Sequence, residues 1–217
     1  MTKARCVILG AGGHAAVVID AMLKQGELEP YAVLDRDQSK WGRSLLGVPN
    51  PWGDDLLAKL VQEGVHSFAV GLGSVGDAKP RIALYQLGIS HDLRPATVIH
   101  PAAVVGASVE IGAGAQLFAG SLVNPRVSIG VNAIINTGAI VEHDCVVGDH
   151  AHIATGAQLA SAVTIKRGAH VGAGATVRQQ ITIGEDALVG AGAVVVSDVP
   201  AGAVVVHPAA GQVVGQL

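Results

Sequence analysis

The sequence has few aromatic residues and no excess of basic ones. Phe, Tyr and Trp make up 3% of the 217 residues, and the formal net charge is −3. Proteins that bind nucleic acid usually present a basic face, and those that bind single strands stack bases on aromatic side chains. Both features are missing here, which argues against a nucleic-acid-binding protein.

Cysteine is also scarce, and long apolar runs are absent. Cys6 and Cys145 are the only two cysteines, which excludes a disulfide framework or a cysteine-rich metal centre and favours a reducing compartment. No apolar run approaches the roughly 18 to 20 residues of a membrane span. The first five residues lead into a short apolar strand, which predicts a domain start rather than a signal peptide. We therefore expect a cytoplasmic protein.

Aliphatic residues recur instead with a strict period. Every sixth residue from Ile99 to Val195 is Ile, Val or Leu, seventeen positions in succession. The residue four positions later is small in most repeats, and glycine often follows the aliphatic residue directly, as at Gly106 and Gly112. A period of six fits neither a helix nor a single strand. It predicts short strands joined by corners and wound into a parallel β-helix, with the aliphatic side chains inside.

The residues before this repeat alternate between strand and helix patterns. We predict strands at 6–9, 31–34, 67–70 and near 91–93, helices at 15–24, 54–63 and 79–87, and a loop at 41–52. This alternation predicts a parallel sheet covered by helices. We expect two domains, residues 1–96 and 97–217.

A glycine-rich turn follows the first predicted strand and carries a candidate nucleotide site. The residues are Gly10, Gly12, Gly13 and His14, and Asp35 ends the second strand. This arrangement is typical of a Rossmann-like dinucleotide fingerprint. The domain is short enough for one mononucleotide-binding half, so we predict a nucleotide or nucleotide-sugar site. NAD is the alternative ligand, and glycines kept only for a tight turn are the other alternative.

A second glycine-rich turn should form the other wall of this crevice. Gly73 and Ser74 follow the third predicted strand. Because the carboxyl ends of parallel strands meet at one edge of a sheet, we expect this turn to lie beside the first one.

The repeat region contains one candidate catalytic pair. His143 should point outward, since Val141 and Cys145 occupy inward positions, and Asp144 lies next to it. A histidine beside a carboxylate serves as a general base near neutral pH, although a solvated surface histidine would give the same pattern. His150 and His152 form an H-x-H pair, but no further zinc ligands follow at suitable spacing, so we predict no metal.

Together these features resemble the PglD/NeuD-type nucleotide-sugar acetyltransferases over essentially the whole chain. The resemblance rests on the segment 7–14, on the unbroken hexapeptides and on the segment 142–149. It implies a left-handed β-helix with three hexapeptides per coil, which would stack His152 under His170 and His143 under Ser161, about 4.8 Å apart. It also implies a homotrimer that uses acetyl-CoA to acetylate a nucleotide-linked amino sugar for surface-glycan synthesis.

The resemblance further implies roles for individual residues. His143 would be the base, Asp144 its acidic neighbour, and His152 a residue near the acetyl carbonyl. Asn136 would be a polar active-site residue, and His14 and Asp35 would contact the nucleotide sugar. Ser161, through its main chain, and Ala191 would contact acetyl-CoA.

Two other functions stay open at this point. One is O-acetylation of a sialic-acid-type sugar, whose carboxylate would need a cation. The candidates for that cation are Lys79, Arg81, Arg126 and Lys166. The other is a non-catalytic nucleotide-sugar-binding protein, which would bind no acetyl-CoA.

Overall fold

The computed structural model describes residues 3–50 and 53–206, and its first part is a parallel sheet covered by helices. The strands are β1 (Ala4–Leu9), β2 (Leu28–Leu34), β3 (Arg43–Leu45), β4 (Val48–Asn50), β5 (Ser67–Val70) and β6 (Arg94–Pro95), and the helices are α1 (Gly13–Gln25), α2 (Leu57–Gln62) and α3 (Lys79–Ser90). The main sheet has the order β2-β1-β5-β6, with every neighbouring pair parallel. This confirms the α/β class predicted for the first part of the chain.

The structure corrects three details of the predicted elements. The predicted loop at 41–52 contains the antiparallel hairpin β3–β4, whose turn places Leu46 and Gly47 at φ values of 50° and 82°. Leucine rarely adopts a positive φ, so no turn signal was present in the sequence. The predicted helix at 54–63 starts as a 3₁₀ turn, Asp54–Leu56. Helix α3 continues to Ser90, so the following strand begins at Arg94 instead of near 91.

The second part is a three-sided parallel β-helix built from two-residue strands. The first face contains Val98–Ile99, Gln116–Leu117, Ile134–Ile135, His152–Ile153, His170–Val171, Leu188–Val189 and Val204–Val205. The second contains Val104–Val105, Leu122–Val123, Ile140–Val141, Gln158–Leu159, Thr176–Val177 and Val194–Val195. The third contains Glu110–Ile111, Ser128–Ile129, Val146–Val147, Thr164–Ile165 and Thr182–Ile183.

The interior of this β-helix is filled as the repeat predicts. The second residue of each strand points inward and stacks on its partner one coil away, as Leu117 does between Ile99 and Ile135. Small residues such as Ala139 and Cys145 fill the inner side of the corners and are fully buried. The predicted parallel β-helix is therefore confirmed, and it agrees with the left-handed form that the resemblance implies.

The two parts share a packed junction on the first face. Val98, Phe118 and Ile134 point outward from the β-helix and lie in the same buried cluster as Ile19 of α1 and Ile8 of β1. This junction places the carboxyl edge of the small sheet against the first face. Among the described residues, no helix combines the length and the apolar character that crossing a membrane requires.

Candidate active site

The carboxyl edge of the small sheet forms a crevice between β1 and β5. The chain crosses from β1 to β2 on one side and then to β5 on the other, so the strand order reverses between β1 and β5. Open α/β sheets bind ligands at this switch point. A Cβ on Gly71 would overlap the Gly10 carbonyl oxygen and the Ala15 side chain, so glycine is needed for the two turns to meet.

The first turn leads into a helix start suited to an anion. Helix α1 begins at Gly13, and its N-cap residue Gly12 has no side chain that could cap the first N–H groups. Gly10 has a φ of 100°, a conformation that glycine adopts without strain. The first N–H groups of a helix have no partner within the helix, and they bind phosphate readily.

Asp35 organises this turn from the end of β2. Its Oδ2 accepts hydrogen bonds from the Ala11 N–H at 2.7 Å and from Lys40 Nζ at 2.9 Å, and its Oδ1 accepts one from the Asp37 N–H at 2.8 Å. Burial alone would raise the pKa of Asp35, but the hydrogen bonds from Lys40, Asp37 and Ala11 lower it below its usual value. The carboxylate therefore holds the glycine turn in place. Next to it lies a pocket of about 290 Å³ whose lining includes Gly10, Asp35, Lys40 and Leu72.

His14 links this turn to the first face of the β-helix. Its Nε2–H donates to Gln116 Oε1 at 2.8 Å, since the Gln116 amide nitrogen donates to the Val70 carbonyl at 2.8 Å. Burial, together with the positive charge of Arg81, lowers the pKa of His14 to about 4. His14 is therefore neutral near pH 7, and its Nδ1, which faces Gly73, can accept a hydrogen bond.

His152 is buried where the second turn meets the first face. Its Nδ1–H donates to the Ser74 carbonyl at 2.6 Å, and its Nε2 accepts from the Asn136 amide at 3.1 Å. The ring centroids of His152 and His170 lie 4.8 Å apart, which confirms the predicted stacking of these two residues. Burial lowers the pKa of His152 to about 3. Both ring nitrogens are thus engaged in holding Asn136 and the second turn.

These buried neutral histidines predict a loss of stability in acid. As the pH falls below about 6.5, the unfolded chain takes up protons that folded His14 and His152 take up only near pH 4 and 3. We expect the free energy of unfolding to fall by about 2 to 3 kcal/mol between pH 6.5 and 4.5 from His152 alone. Thermal unfolding across this pH range measures the slope, and the His152→Gln variant should flatten it. His66→Gln, at an exposed position, is the matched control, and equal slopes in all three proteins would contradict the assignment.

His143 and Asp144 form an exposed pair on the opposite side of the second face. His143 Nδ1–H donates to Asp144 Oδ2 at 2.7 Å, which leaves Nε2 free to accept a proton. The Arg126 guanidinium donates two parallel hydrogen bonds to the same carboxylate, at 2.6 and 2.7 Å. The hydrogen bonds from Arg126 and then from His143 hold the pKa of Asp144 well below its usual range.

The role of Arg126 does not follow from its sequence neighbours, which indicate only a candidate cation for a substrate carboxylate. The structure places Arg126 one coil before Asp144, at the same corner. The 18-residue spacing that aligns neighbouring coils would have revealed the pair. Both residues have positive φ, 63° and 62°, so their side chains leave the corner in the same direction.

If His143 is the base that the resemblance implies, we expect Arg126 to act on turnover through Asp144. Without the two hydrogen bonds, Asp144 can leave the rotamer that orients His143, so Arg126→Met should lower kcat about 3- to 10-fold. Arg126→Lys should lower kcat less, and acetyl-CoA affinity should stay unchanged in both. Arg167→Met is the matched control, because Arg167 pairs with Glu185 across one coil at a different corner. Equal effects of Arg126→Met and Arg167→Met would show that Arg126 has no specific role.

The predicted site residues that lie in the turns of the β-helix fall on two separate corners. We call the turns between the first and second faces, such as 136–139 and 190–193, the first corner, and those between the second and third faces, such as 142–145 and 160–163, the second corner. Asn136 and Ala191 lie on the first corner, on the side of the crevice between β1 and β5. His143, Asp144 and Ser161 lie on the second. Within one chain, the second face separates the two groups.

The remaining histidine of the H-x-H pair has a different environment. His150 lies against the Tyr85 ring, with centroids 5.7 Å apart, and its Nδ1 pairs with the Asn132 amide at 3.0 Å. His150 and His152 therefore contact different residues. Among the described residues, no three His, Cys, Asp or Glu side chains are grouped to hold a metal ion.

Comparison with known proteins gives consistent matches. The family model described as the PglD N-terminal domain matches residues 5–86. A mutant of perosamine N-acetyltransferase from Caulobacter crescentus, in complex with CoA and GDP-perosamine, is 39% identical over 93% of each chain, with a TM-score of 0.87. The acetyltransferase domain of PglB from Neisseria gonorrhoeae, in complex with acetyl coenzyme A, is 30% identical over 95% of this chain and 97% of that chain, with a TM-score of 0.85. WeeI from Acinetobacter baumannii AYE is 27% identical over 94% and 97%, with a TM-score of 0.84. A comparison with curated proteins gave no match.

Proposed function

Since this chain belongs to the PglD/NeuD-type family of sugar acetyltransferases, we propose that it acetylates the amino group of a nucleotide-linked 4-amino-4-deoxy sugar with acetyl-CoA. The observation that carries this proposal is the match over almost the whole chain to an enzyme solved with CoA and GDP-perosamine. Such an enzyme needs a place to bind the nucleotide and a general base. We assign the first to the crevice between β1 and β5 and the second to the exposed pair His143–Asp144.

In the proposed reaction, His143 is the general base. Its free Nε2 takes a proton from the sugar ammonium group, and the lone pair of the neutral amine then attacks the thioester carbonyl of acetyl-CoA. Asp144, held by Arg126, keeps the Nδ1 proton in place and stabilises the imidazolium that forms. Collapse of the tetrahedral intermediate then breaks the C–S bond, and the extra proton on nitrogen passes to the departing CoA sulfur, which leaves CoA thiol and the acetamido sugar.

A main-chain N–H on the second corner is the proposed oxyanion donor. The Ser161 N–H has no acceptor among the described residues and lies one coil after His143. A single such donor is commonly worth about 3 kcal/mol in the transition state. The structure does not support the alternative donor, the His152 side chain, because His152 Nδ1–H is bound to Ser74 and His152 Nε2 to Asn136. We assign His152 instead to the positioning of Asn136.

The nucleotide is proposed to lie along the crevice. Its diphosphate would meet the N–H groups at the start of α1, and its base would enter the pocket beside Asp35. Gly73 and Ser74 would form the facing wall. His14, neutral and with a free acceptor nitrogen, suits a sugar hydroxyl better than a phosphate.

We further propose that the complete site forms between subunits of a homotrimer. The second face carries exposed apolar residues, among them Val104, Leu122 and Val194 at 58%, 40% and 62% exposure. An apolar face of this kind is typical of a subunit interface. Packing of three second faces around a threefold axis would bring the second corner of one subunit to the first corner of its neighbour. His143 would then meet the neighbour's nucleotide crevice.

The first corner also offers a groove for the CoA pantetheine. Five successive coils have glycine at the positive-φ position of this corner: Gly120, Gly138, Gly156, Gly174 and Gly192. The other two corners place residues such as Arg126, Asn132 and Asp144 at similar φ values, so the backbone alone does not require glycine. The absence of side chains leaves room for a ligand next to Ala191, which is exposed.

An assay of thiol release tests this function directly. Acetyl-CoA is mixed with UDP-, GDP- and CMP-linked amino sugars, and the acetylated position is read by mass spectrometry and NMR. We expect release with a UDP- or GDP-linked 4-amino sugar and formation of an amide. Ester formation on a sialic-acid-type sugar would favour O-acetylation, and nucleotide-sugar binding without any acetyl-CoA binding would indicate a non-catalytic protein.

O-acetylation of a sugar acid calls for a cation that can reach the substrate carboxylate. Two of the four candidate cations are engaged, since Arg81 is fully buried and Arg126 is paired with Asp144, whereas Lys79 and Lys166 are exposed. The amide or ester product of the assay therefore decides between the two reactions. We propose a cytoplasmic location, in keeping with two free cysteines and with the use of acetyl-CoA.

A further inference from the structure

Arg81 is fully buried and has no acidic partner. It lies in α3, with an exposed fraction of 0%, and forms no ion pair with a described residue. Its Nη1 donates to the Leu72 carbonyl at 2.6 Å and lies 3.4 Å from the Val70 carbonyl, and its Nε donates to the Asn132 carbonyl at 3.2 Å. Its Nη2 has no acceptor among the described residues.

Burying an unpaired charge to hold these three carbonyls costs much free energy. Removing a guanidinium from water costs several kcal/mol, and partial charges on carbonyl oxygens compensate only part of this. A neutral amide would donate to up to two of these oxygens without burying a charge. Burial lowers the pKa of Arg81 to about 9, so the group still carries its charge at neutral pH.

The position of Arg81 connects this charge to the nucleotide crevice. The carbonyls of Val70 and Leu72 belong to the end of β5 and to the second glycine-rich turn, and Leu72 also lines the pocket beside Asp35. The same turn contacts the first one, through Gly71 against Gly10. Arg81 therefore lies directly behind the place where the two turns would hold a diphosphate.

The ionisable groups nearest to this charge do not neutralise it. The charge of Arg81 acts on His14, His150 and His152 and lowers the pKa of each, after the larger effect of their own burial. These rings stay neutral near pH 7. Arg81 thus places behind the crevice a positive charge that no described carboxylate pairs with directly.

We propose that Arg81 is a buried counter-charge for the diphosphate of the nucleotide substrate. It attracts the diphosphate through the low-dielectric interior, without touching it, and it holds the Leu72 carbonyl so that the second turn faces the ligand. This inference rests on the proposed function, because it takes the anion to be the diphosphate of a nucleotide sugar in the crevice.

Binding of charged and uncharged ligands tests this role. Calorimetry or ligand-observed NMR gives the Kd of GDP and UDP, and of guanosine and uridine, for the wild type and for Arg81→Gln. Gln keeps an amide donor for Leu72 and removes the charge. We expect the preferred nucleoside diphosphate to bind about 10- to 100-fold more weakly, while nucleoside and acetyl-CoA affinities change less than about threefold. Arg94→Gln is the control, since it removes the same charge from an exposed residue. Arg94 pairs with Ser67 at the start of β5, at the end of the sheet away from the crevice.

A second variant separates charge from hydrogen bonding. Arg81→Lys keeps the charge but cannot reach three carbonyls, so we expect diphosphate affinity within about threefold of the wild type. An equal loss of diphosphate and nucleoside affinity in Arg81→Gln, or an Arg81→Lys variant as weak as Arg81→Gln, would overturn the proposal. If Arg81→Gln does not fold, Arg81→Lys alone decides between the two roles. A wild type that binds neither GDP nor UDP would instead overturn the nucleotide site itself, and this proposal with it.

Discussion

We expect the His143→Asn variant to lose a factor of about 10² to 10⁴ in kcat while binding acetyl-CoA and the nucleotide sugar as the wild type does. The amide of Asn can still hydrogen-bond to Asp144, but it cannot accept a proton at the position of Nε2. Attack by the amine would then depend on proton transfer to water. Steady-state kinetics together with direct Kd measurements separate this loss of chemistry from a loss of binding.

The structure makes this a clean test. The His143 side chain is about half exposed, and among the described residues its side chain hydrogen-bonds only to Asp144, so its replacement leaves the buried core of the β-helix intact. His66→Asn is the control, since His66 is an exposed histidine in the small domain. A His143→Asn variant with near-wild-type kcat would show that His143 is not the base, and the buried histidines would then be the next candidates.

The period of six predicts most of the structure of the β-helix. Because the aliphatic phase never slips from Ile99 to Val195, the inward residues and the corners follow directly, and so does the alignment of residues 18 positions apart. This alignment predicted the contact of His152 with His170. The same register aligns Arg126 with Asp144, a pair that the local motif around Asp144 does not indicate, because that motif points only to His143.

The contacts between the two parts of the chain could not be predicted in this way. The pair His14–Gln116 joins residues more than 100 positions apart, and the bond from His152 to the Ser74 carbonyl joins two turns whose relative position depends on the packing of the whole sheet. No periodicity encodes such a junction. The burial of Arg81 has the same origin, since in sequence it is a charged residue in the first turns of a helix with mixed character.

The separation of the two corners leads to the second large prediction. If each site combines the second corner of one subunit with the first corner of the next, two inactive variants with lesions on different corners should complement each other. We choose His143→Ala for the second corner and Ala191→Trp for the first, where the indole would fill the proposed pantetheine groove from an exposed position. Each variant alone should retain on the order of 1% of wild-type activity or less.

Mixed trimers of these two variants should regain activity. In a ring of three subunits that contains both variants, one site in three pairs an intact second corner with an intact first corner, so activity should recover to about one third of the wild type. Co-expression with two different affinity tags, followed by sequential purification, isolates the mixed trimers, and thiol release measures their activity.

A pair of lesions on the same corner provides the control. His143→Ala mixed with Asp144→Ala should recover nothing, because the second corner is damaged in every subunit of such a trimer. Recovery in this control pair would point to subunit exchange with intact protein or to an assay artefact. Failure of His143→Ala and Ala191→Trp to complement each other, in trimers shown to be mixed, would mean that the base and the groove belong to one subunit. The second face, with its exposed valines and leucine, would then need a different explanation.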